Sequence, residues 1–139
     1  MAANTINMQD MRYLNLFEKI THISTRFCFK YNDMLFFCVP RALVSKAIGE
    51  GGKNVKKIYG IIRKRIKVIP APHGIEDAKV FIENIVEPVQ FKEMEIKDNT
   101  IFVNAGNQSK AALIGRNKRR LLEMQKIIRN YFGKEFKIV

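Results

Sequence analysis

Ile48-Gly49-Glu50-Gly51-Gly52-Lys53-Asn54-Val55 lies at the centre of the stretch, residues 39–62, whose reading decides the fold. Before it runs a helical apolar pattern, Leu43, Val44, Ala47 and Ile48, and after it another, Val55, Ile58, Ile61 and Ile62. The spacing predicts helix, tight glycine turn, helix. Glycine is costly in helical territory, so three glycines in four positions need a reason. One is a visitor that approaches the backbone closely. A turn that opens a helix aims N–H groups and a positive dipole end at it, and phosphate suits both. The other is a plain helix–helix connection that requires positive φ.

Working outward, Phe27-Cys28-Phe29-Lys30-Tyr31 and Leu35-Phe36-Phe37-Cys38-Val39 flank the turn-forming Asn32-Asp33 and predict a β-hairpin. A two-residue turn would put Cys28 and Cys38 on opposite faces of the ribbon, whereas a three-residue loop would set them opposite each other. Both are expected to be buried small hydrophobes. Asn7 to Ile20 carries Tyr13, Leu16, Phe17 and Ile20 at helical spacing. Pro40 suits the first turn of the helix after the hairpin. Arg65-Ile66-Lys67-Val68-Ile69 alternates as a half-buried strand does, and Pro70-Ala71-Pro72-His73-Gly74 breaks the pattern. The predicted order is α, β, β, α, glycine turn, α, β.

The same order then recurs. Ala78, Phe81, Ile82 and Ile85 mark a helix. Residues 93–97 and 101–103 flank a turn at Asp98-Asn99, Ala111 to Ile114 lead into Gly115, a helix runs through Met124, Ile127, Ile128 and Tyr131, and Phe136-Lys137-Ile138 reads as a strand. A shift of 66 residues superposes the halves without a gap, bringing Asn32-Asp33 onto Asp98-Asn99, Ile48-Gly49 onto Ile114-Gly115 and Ile61-Ile62-Arg63 onto Ile127-Ile128-Arg129. The chain reads as two copies of one module, residues 1–70 and 71–139. Modules this small are marginal alone, and a short linker with two prolines is stiff. The two are therefore expected to pack together and offer two turns to one strand.

The formal net charge is +12, from 25 Lys and Arg against 13 Asp and Glu. That balance points to a polyanion, and lysines beside glycine turns favour nucleic acid over a membrane surface. Residues 1–70 hold 13 cations against 4 anions, and residues 71–139 hold 12 against 9, so the excess sits with the glycine-rich half. Residues 1–10 lack the basic and apolar regions of a signal peptide, and no apolar run approaches the length of a membrane span. A soluble, cytoplasmic, monomeric protein is expected.

Enzyme motifs fail on the same residues. Gly52-Lys53 is followed by Asn54, where a P-loop has Ser or Thr, and Ala47 stands in place of its first glycine. A dinucleotide fingerprint would need glycine at position 54 and a strand, not a helix, before it. His22, His73 and the two cysteines have no zinc spacing, so neither metal nor cofactor is expected and no catalytic constellation emerges.

The G-x-x-G of Ile48-Gly49-Glu50-Gly51-Gly52-Lys53, set between two helices, resembles the signature loop of KH domains, and the element order is similar to their type II version. Two such modules filling a short basic chain resemble the NusA family in its compact archaeal form. The resemblance implies an α/β (α+β) fold of two tandem type II KH domains, each a three-stranded mixed sheet covered by helices. It also implies single-stranded RNA as partner, RNA polymerase as a further one, and a role in transcription termination or antitermination. KH loops clamp about four backbone nucleotides. Carried over residue by residue, the resemblance puts Ile48, Gly49, Glu50, Gly51, Gly52, Lys53 and Lys56 in the first RNA-binding loop, with Arg65 and Lys67 on the strand bordering the base groove. Gly115, Arg116, Asn117, Lys118 and Arg119 form the second. Glu50 is expected to face solvent, away from the RNA.

The second loop departs from the pattern, with Lys118 in place of the last glycine, which puts close backbone approach in doubt. Its cations would hold phosphate through their side chains or would only solvate a helix start. Ala47, Ile48, Leu113 and Ile114 would floor the groove or simply be core. Among aromatic residues, Tyr59 is the best candidate for exposure. The alternative function is docking on RNA polymerase or the ribosome, or KH-type processing of ribosomal RNA.

Overall fold

The structure is a computed structural model that describes residues 8–139; Asn7, the expected first residue of the opening helix, lies outside the described residues. Contacts divide the chain between Ala71 and Pro72 into two compact units. The first contains α1 (Met8–Thr21), β1 (Cys28–Tyr31), β2 (Met34–Val39), α2 (Val44–Ile48), α3 (Lys53–Ile62) and β3 (Arg65–Pro70). The second contains α4 (Ala78–Val86), β4 (Glu93–Lys97), β5 (Thr100–Asn104), α5 (Gly106–Ile114), α6 (Arg119–Phe132) and β6 (Glu135–Ile138).

Each unit builds one three-stranded mixed sheet, antiparallel in its hairpin and parallel where the third strand joins the second. Asn32 and Asp33 have φ of 52° and 61°, and Asp98 and Asn99 have 51° and 62°. Positive φ at both central residues matches the twist of the strands, and Asn and Asp tolerate it better than most residues. Cys28 pairs with Phe37, so Cys38 stands on the opposite face, as a two-residue turn requires. Leu35, Phe37, Val39 and Val68 meet Phe17, Ala47 and Ile58 in the first core, with Phe17 and Phe37 stacked at 4.4 Å. In the second unit Phe81 is buried, and its ring lies 5.2 Å from that of Tyr131 and 5.8 Å from that of Phe132.

The 66-residue register holds through the hairpins and glycine loops but not to the third strands. α3 ends at Ile62 with Arg63 left-handed at φ 58°, whereas α6 runs on to Phe132 and ends with Gly133 left-handed at φ 65°. Phe36 pairs with Lys67, while Phe102 pairs with Lys137. From Arg63 and Gly133 onward the offset is therefore 70, and the gapless superposition is corrected by about one helical turn added within α6. The extra turn carries Tyr131 and Phe132, whose contacts with Phe81 give it a packing partner.

Cys38 is fully buried and Cys28 half-buried. Burial, and to a lesser extent the charge of Asp10, pushes the Cys28 thiol up from 9.0 to about 12. Neither thiol should react with iodoacetamide at pH 7.5 in the folded protein, and both should react in denaturant; fast native labelling at Cys28 would contradict this packing. The unfolded chain ionises first as pH rises, so the stability tied to this thiol is complete below about pH 9 and is lost progressively towards pH 12. Denaturation midpoints across that range would show the loss, and a Cys28→Ser chain should lack this component.

Candidate nucleic-acid interface

α2 ends where Gly49 turns the chain. The Gly49 N–H still closes a helical bond to the Ser45 carbonyl at 3.0 Å, but the residue sits at φ 81°, ψ 162°, a region essentially open to glycine alone. Gly51 (64°, 17°) and Gly52 (75°, 20°) follow in left-handed geometry, the Gly52 N–H donates to the Gly49 carbonyl at 2.9 Å, and α3 starts at Lys53. Residues 50–52 thereby face a helix start, whose first N–H groups have no partner within the helix.

The second loop repeats this trace. Gly115 lies at 75°, 174°, Asn117 at 55°, 29° and Lys118 at 60°, 20°. The Gly115 N–H donates to Ala111 at 3.0 Å and the Lys118 N–H to Gly115 at 3.2 Å. Lys118 thus does not deform the loop; it adopts the left-handed backbone of Gly52. The reason lies in the two regions of the map. Left-handed geometry costs a lysine about 1 kcal/mol, whereas the region of Gly115 is closed to side chains.

Glu50, Gly51, Lys53 and Lys56 are exposed, Gly49 and Gly52 are partly so, and Ile48 is half-buried against the core. An open groove of about 880 Å³ borders this loop, lined by Ile20, Thr21, His22, Ser45, Lys46, Gly49, Glu50, Lys53, Asn54, Lys56 and Lys57. Four lysines face one carboxylate there. Lys46 and Lys57 were missed from sequence, although Lys57 lies one helical turn beyond Lys53. Glu50 is exposed, and it lines this groove.

Arg65 and Lys67 are placed elsewhere. Lys67 is in register with Phe36, and Arg65 with Met34. Alternation puts these on the sheet face opposite Leu35, Phe37 and Val68, hence opposite the face on which the helices pack. The structure does not bring their side chains to the glycine loop.

Around the second loop Arg116, Asn117, Lys118 and Arg119 are all exposed. Arg119 lies 4.0 Å from Glu123 across one helical turn, a surface pair that offsets part of its charge. Ala47 and Leu113 are buried, and Ile48 and Ile114 half-buried. Tyr59 is exposed and none of the ten phenylalanines is. Among the described residues no group of three or more His, Cys, Asp or Glu could hold a metal ion, and no helix is long and apolar enough to cross a membrane.

Two three-stranded mixed sheets under helices, each with a glycine-started loop between two of its helices, define a pair of tandem type II KH domains. No family model matches the sequence. The chain is 30% identical over 114 residues to "Probable transcription termination protein NusA" of Methanococcus vannielii, covering 79% of this chain and 64% of that relative. Proteins of the same name from Methanocaldococcus jannaschii (26% identical, 94% of this chain, 72% of the relative) and Halococcus morrhuae (27%, 87% and 91%) are also similar. The crystal structure of APE1850 superposes with a TM-score of 0.67 at 22% identity, over 96% of this chain and 99% of that one, which bears on the fold. The chain is thus similar to archaeal proteins named as probable NusA.

The loop geometry makes opposite demands at its two ends. Lys118→Gly should stabilise the second unit by about 1 kcal/mol, through relief of left-handed strain. Gly115→Ala should destabilise it by about 2 kcal/mol or more, because a Cβ there would also stand 2.8 Å from Arg120 Cγ. Denaturant midpoints of the two variants would test both signs.

Proposed function

We propose that the protein binds single-stranded RNA through its two glycine-started loops and acts in transcription termination, the role that the names of its relatives give them, or in antitermination. The observation that carries this reading is the first loop. Three glycines at positive φ bare the backbone at the start of α3, beside a groove with four lysines. Phosphate at that point would meet N–H groups, a positive helix end and ammonium groups together. Lys53 and Lys56 would supply charge from α3, joined by Lys46 and Lys57 from the groove wall.

The second loop offers the same backbone with a different surface. Arg116 and Lys118 are exposed beside it, so its hold on RNA is more strongly charge-based, while the Lys118 side chain crowds the position where Gly52 leaves space. The first loop is therefore the principal grip and the second the weaker. A role in termination brings the protein to the transcribing RNA polymerase, its proposed protein partner.

Salt dependence separates RNA binding from a docking role. If both loops engage about four phosphates each, the log–log slope of affinity against salt approaches about −5 to −6, and one loop alone gives about −3. A fluorescence titration with short single-stranded RNA should fall between these values, and a slope near zero would overturn the RNA-binding reading. Replacing Glu50-Gly51 by Asp-Asp should abolish binding with an unchanged circular dichroism spectrum. The fold should accept it, since Asn117 holds the position equivalent to Gly51 at φ 55°. Undiminished affinity in that variant would remove the first loop from the mechanism.

A further inference from the structure

The two loops share a contact that the glycine pattern does not contain. The Asn54 side chain donates from Nδ2 to the Lys46 carbonyl at 3.3 Å, and the Arg120 side chain donates from Nη1 to the Ala112 carbonyl at 3.0 Å. Donors and acceptors are each 66 positions apart, so this is one contact made twice. Each donor is the second residue of the helix that follows the loop, and each acceptor lies in the last turn of the helix that precedes it. Carbonyls of a last helical turn have no partner within their helix. The side chain of the second helix therefore caps the first and spans the loop between them.

The same side chain also packs on the leading glycine. A Cβ at Gly49 would lie 3.0 Å from Asn54 Cγ and Nδ2, and one at Gly115 would lie 2.8 Å from Arg120 Cγ. Three points are thus tied in each module: the end of one helix, the glycine that turns the chain, and the start of the next. Charge follows the same logic. A guanidinium at the start of α6 opposes that helix dipole, whereas at the end of α5 it is favoured, and Arg120 reaches across to α5.

We infer that Asn54 and Arg120 are positioning residues that clamp the phosphate-binding loops in shape, and that Arg120 spends its charge on the Ala112 carbonyl instead of on RNA. The inference deepens the proposed RNA-binding role and rests on it, but the clamp itself is measurable without RNA. In the full chain, Asn54→Ala should speed amide exchange of residues 49–53, and Arg120→Ala that of residues 115–119. Each should weaken binding of short single-stranded RNA by about two- to tenfold, the worth of one net hydrogen bond. The salt slope should stay as in the parent chain. Arg120→Asn, which installs the donor of the first module, should restore slow exchange and affinity with that slope still unchanged.

Unchanged exchange in both alanine variants would overturn the clamp. Faster exchange with undiminished affinity would overturn its role in positioning the loop. A slope made shallower by about 0.7 in Arg120→Asn would show that the guanidinium meets a phosphate and would overturn the charge assignment. If the parent chain does not bind RNA, the functional reading fails, and the exchange data alone decide whether the clamp exists.

Discussion

Each module depends on one backbone constraint, the turn at its leading glycine. Gly49 and Gly115 stand at φ of 81° and 75° with ψ near extended values, a combination that a Cβ forbids. From that single residue the chain leaves one helix and starts another about four residues later. Both helices then pack against the same three-stranded sheet, with Ala47 and Ile58 closing on Phe37 and Val68 in the first unit. The loop projects because its two flanks are anchored by burial. Hydrophobic packing holds the helices, and the glycine permits their junction; without the second condition the first would have no compact solution.

Electrostatics then makes the two copies unequal on a common trace. The first loop keeps its backbone bare and places Glu50 among four lysines, so attraction comes from the surroundings and access from the missing side chains. The second carries Arg116 and Lys118 within the loop, and Glu123 takes up part of the charge of Arg119. Neighbouring cations raise the local field, but a side chain at the contact point would also keep a bound phosphate further from the backbone. In the proposed RNA-binding role, a bare loop would bind by short hydrogen bonds and a charged loop by longer-range attraction, which salt screens.

Much of the fold was legible because its signals are local. The hairpin turns, the helical spacing and the glycine loops each follow from a few adjacent residues, and their recurrence at a 66-residue shift exposed the duplication. What escaped depends on contacts distant in sequence. The added turn in α6 is invisible to a gapless shift, because Ile127-Ile128-Arg129 mimics Ile61-Ile62-Arg63 by composition although the corresponding helix ends are Arg63 and Gly133. The side on which Arg65 and Lys67 project is set by the parallel register with β2, which no turn chemistry specifies. Lys118 looked like a defect because a motif names residues, whereas the structure fixes dihedral angles.

That last distinction explains the pattern of divergence between the copies. Two loops in one chain with the same trace are a controlled comparison of what each position demands. The third position is glycine in one copy and asparagine in the other, at φ of 64° and 55°; the fourth is glycine and lysine, at 75° and 60°. Left-handed geometry is costly for these side chains but reachable, so the third position admits a neutral asparagine and the fourth a charged lysine. The first position, in a region where side chains collide with their own backbone, and where Asn54 or Arg120 packs on the Cα, is glycine both times. The constant of the motif is thus the residue whose geometry has no alternative, and the fourth position shows where a cation can be added at about 1 kcal/mol.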